Sequence, residues 1–215
     1  MAKKQTLLQN EKGRYSMKGS FTWGVLLFFL LVFIDQLTKA LADVYFNQPD
    51  APDSLTVIPG WIFLRIDYND GMAYSMGANL PSWAKIGIIA LTGVMMAVLA
   101  VVYFKVDKRR TFFRIALVFI VAGGVGNLID RLYYQVWNPT PFGVRDMVDL
   151  SRLGFAVCNF ADFFICGGAI ALAAALLFFD KEAMWPVGKK YKALAKEARE
   201  EEERKQTQKE KDKTK

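Results

Sequence analysis

The sequence predicts an all-α membrane protein of four transmembrane helices with a small β-rich segment on the outer face. Three observations carry that prediction. Of the 215 residues, 53% are hydrophobic, above the roughly 45–50% of ordinary soluble domains. The apolar residues gather in four runs, each near the about twenty residues that cross a hydrocarbon core of about 30 Å. Lys and Arg cluster beside these runs on one side, the asymmetry that orients spans in a bilayer.

The elements follow in order. Residues 1–20 form a basic segment with Lys3, Lys4, Lys12, Arg14 and Lys18, and the first apolar run covers 21–41. Its length and the absence of a small-residue cleavage site at its end predict a retained span rather than a signal peptide. Residues 43–82 are mixed. Within them VIPGWIFLRID (57–67) is β-branched and aromatic, with Pro and Gly punctuation, which reads as short strands or an amphipathic segment on the membrane surface. The second, third and fourth spans are expected at 83–104, 112–133 and 155–179. Residues 181–215 alternate Lys, Glu and Arg, a charged tail that is partly helical or disordered. The membrane domain is thus residues 21–180, between a short basic segment and a charged tail.

Orientation comes from the flanking charges. The N-terminal segment, the 105–114 loop and the tail are strongly basic beside the spans, whereas the 43–82 and 134–154 segments carry few cations next to them: Arg65 in the first, Arg145 and Arg152 in the second. Both termini are expected in the cytoplasm and these two segments outside. The net charge of +7 is explained by this bias, so no nucleic acid partner is expected.

The chain has no histidine. That excludes Ser-His and Cys-His nucleophilic sites and HExxH zinc proteases. Acid–base chemistry falls to Asp, Glu, Lys or Tyr. Cys158 and Cys166 lie two helical turns apart, roughly 12 Å, too far for a disulfide, which needs Cα atoms within about 7 Å. Both are read as buried, inert thiols.

The informative residues are ionisable or amide groups at the outer ends of three spans. Such groups cost several kcal/mol in lipid unless they face a polar cavity. Asp35 and Lys39 are spaced i, i+4 and pair on one helical face. Asn127, Asp130 and Arg131 fall at i, i+3, i+4 on one face, and Asn159 and Asp162 at i, i+3. The outer segments add Asn69, Asp146 and Asp149. Each has a plain structural reading beside the functional one: Asp35–Lys39 as a structural pair, Asp130–Arg131 as an interface anchor, Asn159 as a helix cap. What favours function is convergence, because the orientation puts all of them on one side. Two carboxylates close together in a low-dielectric cleft share a proton. One then acts as base on a water while the other polarises a peptide carbonyl, with no metal and no cofactor.

Five short motifs carry a family resemblance: DQLTK at 35–39, NDGMAYS at 69–75, GNLIDR at 126–131, VRDMVD at 144–149 and NFAD at 159–162. In this order, with four spans, the sequence resembles lipoprotein signal peptidase (signal peptidase II). The resemblance implies an inner-membrane aspartic endopeptidase with its active site facing the outer leaflet. Its substrates would be diacylglyceryl-modified prolipoproteins, cleaved before the lipidated cysteine, with membrane lipid as the other partner. It implies a small sheet-like cradle in the first outer segment and a catalytic aspartate pair, the second being Asp162. VRDMVD matches the other best at Asp146, with Asp149 the alternative, since the loop before Asp146 is lengthened and the stretch between it and Asp162 shortened. Asp35, Lys39, Asn69, Asn127, Asp130, Arg131 and Asn159 would support the pair and the substrate backbone. Nothing demands more than a monomer. A coupled transporter would show inverted repeats or polar residues through the membrane depth, and the other membrane aspartyl proteases carry GxGD where this chain has GVGN; a structural scaffold leaves the converging aspartates unexplained.

Overall fold

A computed structural model describes residues 17–69, 80–106, 110–137, 143–179 and 189–213. Most of residues 1–20, the NDGMAYS motif beyond Asn69, and the 138–142 and 180–188 stretches lie outside the described residues. The elements are α1 (Met17–Phe46), β1 (Leu55–Ile58), β2 (Ile62–Asn69), α2 (Ser82–Lys105), α3 (Thr111–Arg131), a π-helical turn (Leu132–Trp137), β3 (Val144–Asp149), β4 (Val157–Cys158), α4 (Phe160–Phe178) and α5 (Lys189–Lys213). Among the described residues, four helices are long and apolar enough to span a membrane: Trp23–Phe46, Trp83–Lys105, Thr111–Tyr134 and Phe160–Phe178.

The third of these spans is the hub. Of its most apolar stretch 56% is buried, against 11–17% for the other three, so α1, α2 and α4 pack around α3 and turn their remaining faces outward. The sequence reason is AGGVGN, which strips side chains from α3 where neighbours approach. A Cβ at Gly123 would strike the Ala161 carbonyl of α4, and one at Gly126 would strike the Asp35 carboxylate of α1. Small residues of this kind let helix backbones meet in a bilayer, where lipid gives no hydrophobic drive. Below that level Leu31, Tyr103, Leu117, Val118 and Ala122 form a buried apolar cluster.

The strands form one antiparallel meander in the order β1-β2-β3-β4. Gly60, at φ +78°, allows the tight β1–β2 turn closed by Trp61 N–H to the Ile58 carbonyl at 3.0 Å, a left-handed conformation that favours glycine. The 57–67 stretch is therefore stranded. Residues 43–82 supply only half of the sheet, however; residues 144–149 and 157–158 supply the rest. Register across β2 and β3 slips between Leu64 and Asp67, a bulge that adds one residue to β2 and re-aims the side chains beyond it.

Two expected boundaries shift. The fourth span begins at Phe160, not at 155, because Gly154 takes the left-handed conformation (φ +81°) and Val157–Cys158 pairs as a strand. The third α-helix runs on as a π-turn through Trp137. The tail is helical over Lys189–Lys213. Of the cysteines, Cys158 is half-buried while Cys166 is exposed on the helix face, so the expectation that both thiols are buried is corrected for Cys166.

Candidate active site

Asn159 directly follows β4 and caps α4. Its side chain accepts from the Asp162 N–H at 3.1 Å, while Asp162 Oδ2 accepts from the Asn159 N–H at 3.0 Å, a reciprocal capping box. This local geometry fixes the Asp162 carboxyl at the third helical position, where the helix N-terminus attracts negative charge. Its other oxygen, Oδ1, accepts from Asn127 Nδ2 of α3 at 2.8 Å.

Asp146 arrives from β3, the strand next to β4. It is 3% exposed. Asn159 Nδ2 donates to its Oδ1 at 2.6 Å, and Asn69 Nδ2, beyond the bulge on β2, donates to its Oδ2 at 3.1 Å. The same Asn159 Nδ2 also donates to Asn127 Oδ1 at 3.0 Å. Asn159 and Asn127 thus tie both carboxyls into one hydrogen-bonded unit. Burial, reinforced by the neighbouring charge of Asp162, pushes the Asp146 carboxyl up to about 7, against the lowering pull of the Asn69 and Asn159 hydrogen bonds.

Asp149 shares β3 but not this environment. Three residues along a strand puts it on the opposite face. There it meets Arg65 Nε at 3.0 Å and accepts from the Ser151 N–H at 2.9 Å. Its slight burial would raise the carboxyl, but the Ser151 bonds and Arg65 outweigh that and hold it below the ordinary aspartate value.

Beneath the pair lies a buried ionic lattice. Asp35, Lys39, Asp130 and Asn159 have no solvent exposure. Lys39 Nζ contacts Asp35 Oδ2 at 2.9 Å, Asn127 Oδ1 at 2.8 Å and Asp130 Oδ2 at 3.7 Å. Asp35 Oδ1 accepts from the Ala161 N–H at 2.9 Å, holding the start of α4. Asp130 is gripped by Arg145, whose Nη2 meets Oδ1 at 2.8 Å and whose Nε and backbone N–H meet Oδ2 at 3.2 and 3.0 Å. Burial works against the Arg145 charge, but these bonds hold its guanidinium above the usual value. Such a lattice tolerates burial only when each charge is paired and hydrogen-bonded.

The structure therefore brings Asp35, Lys39, Asn69, Asn127, Asp130, Asp146, Asn159 and Asp162 into one network. Asp130 and Arg131 part company: Asp130 faces Lys39 and Arg145, whereas Arg131, half-buried, donates to the Asn127 carbonyl at 3.5 Å and lies within the fields of Asp162 and Asp146. Sequence reading missed several members. Gln36 donates to Asp35, to the Gly126 carbonyl and to Asp130, and accepts from Arg145. Asp43 receives the hydroxyls of Tyr68 and Tyr134 and approaches Arg145 Nη1 at 3.8 Å, and the Arg145 guanidinium stacks on Tyr134 at 5.0 Å. Gln36 beside Asp35, and Arg145 as one of only two Arg residues within 134–154, were the available signals. Among the described residues no group of three or more His, Cys, Asp or Glu is placed to hold a metal ion.

An apolar cavity of about 660 Å³ opens beside the network, walled by the C-terminal end of α1 and the sheet, with Leu41, Tyr45, Leu64, Met147 and Phe160 among its lining. Met147 and Phe160 each directly follow a network residue.

Residues 27–178 match the family model described as signal peptidase (SPase) II. A lipoprotein signal peptidase of Ectopseudomonas mendocina is 31% identical over 168 residues, 77% of this chain and 93% of its own length. One from Fusobacterium nucleatum is 29% identical over 74% of this chain and 88% of its own length. Among solved structures, a bacterial membrane enzyme determined by the in meso method at 2.3 Å resolution matches with a TM-score of 0.59 and 25% identity, over 73% of this chain and 88% of that one.

Proposed function

Because this chain belongs to the signal peptidase II family, we propose that it removes signal peptides from diacylglyceryl-modified prolipoproteins by aspartic catalysis, with Asp146 and Asp162 as the catalytic pair. The observation that carries this reading is the shared asparagine frame around two carboxyls from separate parts of the chain. Asp149 is set aside because it is committed to Arg65 and Ser151 on the other face of β3.

In the proposed reaction the proton of the pair resides on Asp146, whose buried site disfavours charge. Asp162 takes a proton from water as the water oxygen bonds to the carbonyl carbon, and Asp146 gives its proton to the carbonyl oxygen. The tetrahedral diol then collapses. The C–N bond breaks, the leaving amine of the lipidated cysteine takes the proton held by Asp162, and a diol hydroxyl returns its proton to Asp146. Peptide and water become acid and amine, with both carboxyls restored. Arg131, Asn69 and the Lys39–Asp35–Asp130 lattice hold the pair in position.

The membrane setting follows the same reading. The protein is a multi-pass protein of the cell inner membrane, with residues 21–180 as its working domain, both termini cytoplasmic and the pair facing the outer leaflet. There the acyl chains of the substrate enter the apolar cavity beside Met147 and Phe160. A monomer suffices. The test is turnover of a lipidated precursor by Asp162→Asn and Asp146→Asn: each is expected to abolish cleavage while inserting and folding normally, and near-normal turnover by both ends the proposal.

A further inference from the structure

A second apolar cavity, of about 400 Å³, lies between α1, α2 and α3, with no residue of α4 in its wall. Gly24 and Phe28 of α1, Gly93, Ala97 and Tyr103 of α2 and Leu117 of α3 define its shape. On α2 the lining runs from Gly93 to Phe104, a rise of roughly 16 Å, about half of a ~30 Å hydrocarbon core. It is a slot one leaflet deep.

One end of the slot is basic. The Tyr103 hydroxyl lies where a Cβ at Gly24 would stand, so ring and glycine are in contact there. The Arg114 guanidinium stacks on that ring at 4.3 Å. Arg114 precedes Leu117 and Val118 by one turn and so shares their face of α3. At this end α2 finishes at Lys105, which is exposed, and α3 begins after Arg110, which is half-buried.

An apolar slot does not hold water, and an empty one forfeits packing on every wall. In a bilayer the material at hand is hydrocarbon. Basic pockets between transmembrane helices favour anionic headgroups. We propose that this slot binds one acyl chain of an anionic phospholipid from the leaflet at the basic end of the bundle, with its phosphate held at Lys105 and Arg110. The site is separate from the aspartate pair and does not depend on peptidase activity.

The test uses the full chain reconstituted in lipid discs made of equal phosphatidylglycerol and phosphatidylcholine, then native mass spectrometry of the released protein. The wild type is expected to retain one phosphatidylglycerol, enriched over phosphatidylcholine by about five-fold or more. Gly93→Phe projects a ring into the slot, where an added Cβ meets only Leu128, at 3.8 Å, and is expected to lose the retained lipid; Ala97→Leu does the same by a smaller intrusion. The Lys105→Gln, Arg110→Gln double variant keeps a lipid but brings the two headgroups to near parity. Retention of both lipids equally by the wild type overturns the proposal. So does unchanged retention in both slot variants, or a two-copy wild-type mass that the slot variants reduce to one copy without a lipid, which would assign the slot to a second chain. Should the slot variants fail to fold, the headgroup preference of the wild type against the rim variant decides.

Discussion

Where α1 meets α3, Asp35, Lys39 and Asp130 lie against one another with no solvent exposure. Further along the same two helices, Leu31, Leu117, Val118 and Ala122 fill the space with hydrocarbon. The apolar level tolerates substitution because lipid and core offer similar surroundings, and only fit is lost. The polar level has no such latitude. Each of its charges is held by two or more partners drawn from α1, α3, β3 and α4, so removing one strands the others in a low-dielectric interior. A bundle that needed only to stand in a membrane would be built of the first material throughout. Under the proposed function the second is explained by the Asp146 and Asp162 pair that it positions.

The contrast is most sharply tested at Lys39, whose loss leaves Asp35 and Asp130 facing each other. Lys39→Met is expected to destabilise the fold by about 3–5 kcal/mol, measured by unfolding in detergent, with cleavage lost as well; a smaller change would mean that the lattice is wetter than the structure shows. At the apolar level Leu117→Ala is expected to lower stability by about 1–3 kcal/mol, the packing part of a core truncation without the full transfer part, and to leave the pH profile of cleavage unchanged. The pH profile itself separates the two levels again. Asp146 is raised to about 7, so its protonated form favours the fold at low pH, and that contribution is lost as pH rises through about 7. Cleavage is expected to fall over the same range as the acid loses its proton, and Asp146→Asn is expected to remove the pH dependence of stability there. Smallest of all is Arg65→Gln: its partners Asp67 and Asp149 sit at the sheet surface, and the expected effect is below about 1 kcal/mol, with turnover retained.

Much of this was legible in the chain. Spans announce themselves by length and composition, and Asp35 with Lys39, or Asn159 with Asp162, declare their shared face by spacing alone. The fourth helix was misplaced because Phe155 to Cys158 is as apolar as a span; only the left-handed Gly154 and pairing with β3 show that this stretch is a turn and a strand. Arg145 could not be matched with Asp130 and Gln36 from sequence, since their meeting depends on how α1, α3 and β3 dock. The choice between Asp146 and Asp149 was open for the same reason: a strand of known register puts them on opposite faces, and the motif alone does not reveal which face turns inward.

That choice is also where the account is most exposed. Rates of cleavage of a lipidated precursor should be compared for Asp146→Asn and Asp149→Asn in the full chain. The expectation is a loss of at least about a hundred-fold in the first and a change within about three-fold in the second. A near-normal Asp146→Asn beside an inactive Asp149→Asn would contradict it.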